Sequence, residues 1–487
     1  MITFEAIPTD ILTPGNYFEF SNARAVRGLA IMPHKILLIA QKLPGGSAPA
    51  LTPLLVSSAD AAATHAGRGS MAHRMVRALL RTNRTTELWA VLLDDAAAGT
   101  AALGSITFTG NATSAGTWSG YINGAAVKLG VTAGMTAAQI ATALAAAISA
   151  NPDLPVTAVV DGVTASKVNL SARHKGETGN GIDIRTNYFS GEANPAGITE
   201  EIAAMAGGTA NPDIIDVFDA IGAEWFTTIV MPFTDAANMA ALEQELARRN
   251  GPMVMTDAIA YAAMRGSQGQ LVTFGNSRNS QHVSVMGVPP APETPEEWAA
   301  AYAGAATFAA EIDPAQPVSD VTLTGLKPPA ITERFLREQR DVLLKNGIAT
   351  FTVDANGNAV IERAVTMYQL NGDGLPDRSY LDSEVLRTLS YLRYTMRARF
   401  SQRFRRKKLG QDGTRGPNVV TPKDVRGELI ALFGDWAELG LVQDMEQFKR
   451  DAVVEISAAD ANRFNVIIPP HCINQLRVIA GQIQFIL

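Results

Sequence analysis

Apolar residues along this chain follow two rhythms, and they change places at definable positions. From 35 to 43 the chain is apolar at nearly every position, through Ile36, Leu37, Leu38, Ile39 and Ala40. That is the pattern of a strand covered on both faces. Pro44, Gly45 and Gly46 end it. A helix is predicted over 58–65, a turn at Gly67 and Gly69, and a helix over 70–82 with Ser70 as N-cap. Met71, Met75, Ala78 and Leu79 fall on one face of that second helix. A second apolar strand follows at 87–93. Such strands alternating with helices predict a parallel, doubly wound sheet.

At Asp94 the pattern breaks. Residues 96–208 are rich in Gly, Thr, Ala and Ser. They read as short strands near 104–109, 118–122, 125–129, 156–160 and 167–172, with one helix over 136–150 capped by Thr136. From Pro212 the α/β rhythm resumes: a helix, a strand at 225–231 and a helix over 236–249. Short strands at 253–255 and 271–274 flank a further helix, followed by a strand at 283–288 and a helix over 295–310. The expected organisation is an α/β domain in two pieces, 23–95 and 209–325, interrupted by a β-rich outer module at 96–208. The proline-rich stretch 313–329 marks a boundary. Beyond it, 326–470 reads as an α+β C-terminal domain. Its expected elements are a helix over 331–346, a hairpin of 349–353 and 359–365, helices over 381–406 and 422–438, and strands at 452–456 and 465–468.

Both ends carry strand patterns. Residues 1–22 form an expected N-terminal arm, in which Pro8 and Pro14 precede an alternation of Tyr17, Phe18, Glu19 and Phe20. Residues 471–487 follow Pro469 and Pro470, which cannot donate backbone hydrogen bonds. In this stretch Ile479, Ile483, Phe485 and Leu487 line one face, and Leu476, Val478, Ala480, Gln482, Gln484 and Ile486 the other. The pattern fits a last strand in the chain's own sheet, and it fits an arm that completes a neighbour's sheet.

Composition narrows the classes. A chain of 487 residues with 47% hydrophobic and 18% charged residues exceeds one ordinary core, so several domains are expected. The net charge of −6 gives no overall attraction to nucleic acid or an anionic membrane. The apolar run 140–150 is too short to span a bilayer. The first residues lack a basic region followed by an apolar stretch, so no export signal is expected. Cys472 is the only cysteine, which excludes internal disulfides and cysteine metal clusters and suits a reducing cytoplasm.

Candidate chemistry is sparse. Gly69, Ser70, Met71 and Ala72 resemble the nucleophile string of subtilisin-like proteases, but a nucleophilic serine needs a converging base and carboxylate. No histidine stands in the matching sequence setting, so Ser70 reads as a helix cap. His34, His65, His73, His174, His282 and His471 are scattered without ligand spacing. Asn371, Asp373 and Asp377 lack the closing glutamate of a calcium loop and read as a turn. No glycine-rich nucleotide cradle is present. No catalytic, cofactor-binding or metal-binding residue is expected. One charge feature stands out: Arg393, Arg397, Arg399, Arg403, Arg405, Arg406, Lys407 and Lys408, with no acidic residue among them and with Tyr394, Phe400 and Phe404 interleaved. It can be a solvated helix end, a nucleic-acid patch, or a docking face for an acidic protein.

Several strings together resemble the tail sheath proteins of contractile-tailed, Mu-like bacteriophages. They are Ile7, Pro8 and Asp10; Pro14 through Phe20; Gly69 to Ala72 with the strand from Thr86 to Ala90; Arg387 to Arg393; Thr421, Pro422 and Lys423; Glu428, Leu429 and Ile430; Ile468, Pro469 and Pro470; Asn474 to Arg477; and Gln482 to Phe485. The resemblance runs end to end and is weakest across 96–208. It implies a non-enzymatic virion subunit, assembled in the host cytoplasm, that stacks as six-fold rings around a tail tube and contracts. Its implied partners are further copies of itself, the tube protein, and baseplate and terminator proteins, with no membrane and no direct nucleic acid. It also implies that the two arms exchange strands between subunits, that the C-terminal domain with its arginine helix faces the tube, and that the insertion lies outside. Type VI secretion and R-type bacteriocin sheaths share this mechanism.

Overall fold

The computed structural model describes residues 12–18 and 29–486, which divide into two compact units. The larger comprises Pro33–Ser390 with Asn474–Leu487, and the smaller Met1–Met32 with Tyr391–Ile473.

An eight-stranded sheet carries the larger unit. Its spatial order is Ala359–Arg363, Ile348–Val353, Val283–Val288, Ile259–Arg265, Thr228–Val230, Lys35–Gln41, Glu87–Leu93 and Leu54–Leu55. The six inner strands are parallel and the two outermost pair antiparallel. Lys35–Gln41 pairs on one side with Glu87–Leu93 (Ile36 opposite Leu88) and on the other with Thr228–Val230 (Ile36 opposite Thr228). Ile36 through Ala40 are fully buried, which is why no polar position interrupts them. Ser58 and Ser70 cap the helices Ala59–Ala66 and Met71–Thr82. Met71–Thr82 packs on Pro295–Ile312, whose Trp298 and Tyr302 are buried. The approach is close enough to require Gly304, since a Cβ there would stand 2.3 Å from Thr82 Oγ1.

Three expectations are corrected within this unit. First, Ile259–Arg265 is a strand and Gln268–Asn276 a helix, the reverse of the order read from the sequence. Residues 258–263 are all buried, so burial on every side left no period to read. The overlooked signal was the capping box in which Ser267 and Gln270 exchange bonds. Residues 253–255 are not a strand, and Met253 is exposed. Second, the hairpin Ile348–Val353/Ala359–Arg363 joins the main sheet through Val285 opposite Ile348, so a boundary at 325/326 would cut that sheet. The units divide at 390/391, within the helix Ser383–Phe404. Third, 331–346 holds a short 3₁₀ turn, Ile331–Glu333, and a helix limited to Arg337–Lys345.

Between Glu87–Leu93 and Thr228–Val230 lies a module with its own core. A four-stranded sheet runs Ile198–Ala206, Ala101–Gly110, Lys167–Lys175, Val156–Val160, and a three-stranded one runs Ala125–Val131, Gly116–Ile122, Ile184–Thr186. Phe108, Trp118, Val168 and Leu170 pack there with Ile140, Leu144 and Ile148 of the helix Ala137–Ser149. Asn123 (φ 49°) and Gly124 (φ 71°) make the two-residue turn between Gly116–Ile122 and Ala125–Val131.

A buried polar seam fixes this module to the main sheet. Asn123 donates to Glu297 (2.7 Å) and accepts from the backbone of Thr294 (2.8 Å). Arg74, almost fully buried, meets Glu296 at 3.1 Å, Glu297 at 3.6 Å and Thr294 Oγ1 at 3.0 Å. Arg265 donates to the carbonyls of Gly181, Ala291 and Glu293. Lys327 reaches the carbonyl of Gly124 at 2.8 Å, and its backbone N–H donates to Glu293 at 2.9 Å.

Burial pushes the Glu293 carboxyl from its ordinary 4.5 up to about 7, against the pull of Lys327. The folded state thus holds a proton that the unfolded state releases, and its contribution to stability is complete below about pH 4.5 and lost as pH rises through about 7. Its loss is worth on the order of 3 kcal/mol. Glu293→Gln is expected to flatten the decline in melting temperature between pH 5 and 8 and to exceed wild type at pH 8, as read by scanning calorimetry.

In the smaller unit, residues 391–404 of the long helix meet Pro422–Glu438, which in turn packs on Met445–Asp451. Trp436 Nε1 donates to Thr395 at 3.0 Å, and Phe433 stacks on Phe448 at 4.2 Å. Thr421 and Asp424 form a capping box, with Pro422 in the first helical turn. The hairpin Val453–Ile456/Phe464–Ile467 completes the unit's larger elements.

Candidate functional site

Among the described residues, the C-terminal segment carries a run of exposed apolar side chains: Leu476, Val478, Ile479, Ile483, Phe485 and Ile486. Residues 474–486 have no regular secondary structure and, among the described residues, pair with no strand. The strand expected at 476–487 is not formed among the described residues 476–486. Ile479, Ile483, Phe485 and Ile486 are 84%, 94%, 80% and 99% exposed. Leu487 lies outside the described residues. At the other end, Tyr17 donates to the carbonyl of Thr13 at 3.1 Å and Phe18 is exposed, without a strand over 12–18. Phe20 lies outside the described residues.

The arginine helix separates into two sets. Arg399 is a structural residue: it binds Glu428 at 2.8 Å and also Asp435, both on Pro422–Glu438. Burial works against its charge, but the bonds to the two carboxylates outweigh that and raise its pKa. Within the subunit its charge is thus engaged by the neighbouring helix. Arg403 approaches the same Glu428 at 3.4 Å while staying 58% exposed. Arg397, Arg405, Arg406, Lys407 and Lys408 are exposed and Arg393 is half-buried. The helix ends at Phe404, so Arg405 and Arg406 extend beyond its C-terminus.

Ser70 is buried, and its hydroxyl accepts the N–H of His73 at 3.1 Å. Nearby, His174 resembles a catalytic base in being paired through Nδ1 with Asp95 at 2.9 Å. Its Nε2, however, accepts the N–H of Met71 at 3.0 Å. The pair thus braces the start of Met71–Thr82 and supplies no base to a hydroxyl. The crevice at the carboxyl ends of the parallel strands, where α/β sheets commonly hold ligands, receives the module's turn Glu177–Gly181. About 290 Å³ remains there beside Thr234, Met264, Arg265 and Glu296. Asn371 accepts from the backbone of Asp373 and Leu375, which makes that loop an Asx turn. Among the described residues no group of His, Cys, Asp and Glu could hold a metal, and no helix is long and apolar enough to cross a membrane.

The long-range partners of the arm were not legible in sequence. Arg477 binds Asp382 and Glu384. Its one sequence signal was a lone cation in an otherwise apolar alternation.

Comparison with known proteins agrees with this arrangement. The phage tail sheath protein central domain matches residues 207–367, and the phage tail sheath C-terminal domain matches residues 376–486. Over 489 aligned residues the chain is 42% identical to the Mu-like prophage FluMu tail sheath protein of Haemophilus influenzae, covering 100% of both. Among solved structures, the anti-feeding prophage helical sheath in the contracted state is similar with a TM-score of 0.51 and 11% identity, over 97% of this chain and 98% of that one. A chain of the anti-feeding prophage baseplate gives 0.50 and 11%, over 98% and 99%. At such identity the likeness is one of fold, a mixed α/β architecture. Full-length identity and both domain matches place the protein in the phage tail sheath family, as the tail sheath protein of a contractile system.

Proposed function

We propose that the protein is the repeating subunit of a sheath that stacks as six-fold rings around a tail tube and contracts to drive that tube through a host envelope. The observation that carries this reading is the exposed apolar arm at 478–486 on a chain of the sheath family. An alternating apolar segment left in water gains most by adding to the sheet edge of a second copy, where ladder hydrogen bonds join side-chain burial. The α/β unit with its doubly wound sheet and module forms the outer layer, and the arginine-bearing unit faces the tube. The subunit is made in the host cytoplasm and ends in the virion, where it also meets baseplate and terminator proteins.

Electron microscopy of the expressed protein tests the reading: striated hollow cylinders are expected, and a protein that stays monomeric with its arm intact at high concentration and in the presence of tube protein would overturn it. The exposed cations supply breakable contacts of roughly 1 kcal/mol each in water, multiplied around a ring. Reversing Arg405 and Arg406 to Glu, with Arg399 left in place, is expected to weaken assembly on the tube while still allowing contracted polymers. Normal tails from that variant would remove the tube contact from this helix.

A further inference from the structure

We propose that Arg477 is the positioning residue of the C-terminal arm, a clasp that fixes where and in what register the arm leaves the subunit; this rests on the arm-exchange reading above. The arm has a held root and a free tip. Arg477 Nη2 lies 2.9 Å from Glu384 Oε1, 3.2 Å from Asp382 Oδ1 and 3.0 Å from Gln475 Oε1. Glu384 is fully buried and also accepts the N–H of Val318 at 2.6 Å. Asp382 is bound twice by Arg363, at 2.8 and 3.0 Å, and Arg363 closes the edge strand Ala359–Arg363 of the main sheet. The clasp is therefore tied through Asp382 to the edge strand of the main sheet and through Glu384 to the backbone of Val318. The Nε and Nη1 of Arg477 are buried with no hydrogen-bond partner among the described residues. The ion pairs, not a saturated hydrogen-bond network, hold the root.

Immediately beyond the clasp, Val478 and Ile479 are exposed. Two consequences follow for an arm that must pair elsewhere. Its reach is set, since Phe485 stands eight residues on and an extended chain rises about 3.3 Å per residue, or about 26 Å in all. Its register is set as well. A one-residue slip would put Gln482 and Gln484 where Ile483 and Phe485 belong. A root free from 474 onward would allow that slip and dilute the tip over a larger volume.

Trypsin reads the clasp directly, because it must draw an arginine side chain into its own acidic pocket and here Asp382 and Glu384 compete for it. In the full-length subunit, Asp382→Asn with Glu384→Gln is expected to speed cleavage after Arg477 at least tenfold, measured as release of the 478–487 peptide by mass spectrometry. Cleavage at Arg463, an exposed loop arginine, should keep its wild-type rate. Glu384→Gln alone keeps Arg477 as the cleavage site and an amide oxygen for the N–H of Val318, but removes the closer of the two carboxylates. It serves where the double variant fails to fold, and should also be cut at least tenfold faster at 477. Both variants are expected to need at least tenfold more protein to form cylinders. An unchanged rate at 477, equal acceleration at Arg463, or wild-type assembly by a faster-cut variant would each overturn the clasp. Wild-type protein that never polymerises would instead count against the arm-exchange reading, while the proteolysis comparison on the subunit still judges the clasp.

Discussion

Deleting residues 481–487 leaves a folded, soluble subunit with a nearly unchanged melting temperature that forms no cylinders. The expectation follows from where the arm's free energy lies. Ile479, Ile483 and Phe485 are exposed in the subunit, so removing the tip takes away no burial. Covering Ile479, Ile483, Phe485 and Leu487 against a neighbour would yield roughly 1.5–3 kcal/mol each, about 6–12 kcal/mol together. Ordering some ten residues costs on the order of 10–20 kcal/mol of backbone freedom. The apolar gain alone falls short, and the arm orders only where a sheet edge adds ladder hydrogen bonds and other contacts already hold the neighbour in place. That dependence would delay polymerisation until a tube organises the subunits. Calorimetry and microscopy on the same preparation check it. A deletion that unfolds the isolated subunit would show that the segment stabilises its own chain.

The second large effect is expected at Arg74. Arg74→Met should destabilise the larger unit by about 3–5 kcal/mol, because it leaves the buried Glu296 carboxylate without its ion-pair partner and Glu297 with only Arg77. The side chains of Arg74, Glu296 and Glu297 are 3%, 2% and 5% exposed, so water cannot replace the lost partner. Combining Arg74→Met with Glu296→Gln should recover part of the loss by removing one orphaned charge. Urea unfolding of the single and double variants measures both. The same seam bears on the module. Excising 96–208 for a short Gly/Ser linker would strip Asn123 from Glu297 and the Gly181 carbonyl from Arg265. A truncated subunit therefore needs Glu297 neutralised before its failure to assemble says anything about the lattice. A single Arg74→Met variant with wild-type stability would mean that the seam is solvated and contributes little.

Much of this architecture was legible in the linear chain. Continuous apolar runs marked Lys35–Gln41 and Glu87–Leu93 because a central parallel strand meets no water on either face. Ser70 and Thr136 announced helix starts through bonds that close within three residues, whereas the caps Ser58 and Thr421 were identified only in the structure. The ordered strings from Ile7 to Phe485 pointed to the sheath family, since each is short and local and can be read without the fold. What the tertiary structure alone decided concerns partners far apart in sequence. Residues 258–263 are buried on all sides and have no readable period, so only their place between Thr228–Val230 and Val283–Val288 makes Ile259–Arg265 a strand. The hairpin at 348–363 has the pattern of any two-stranded ribbon, and its pairing with Val283–Val288 assigns it to the main sheet. Arg399 and Arg403 carry the same charge four residues apart, yet Glu428 and Asp435 draw in the first and leave the second largely in water. Arg477 finds Glu384 across 93 residues and Arg74 finds Glu296 across 222. Periodicity reports which face of an element is buried, whereas a charge's partner depends on how distant elements fold together, and no local pattern encodes that distance.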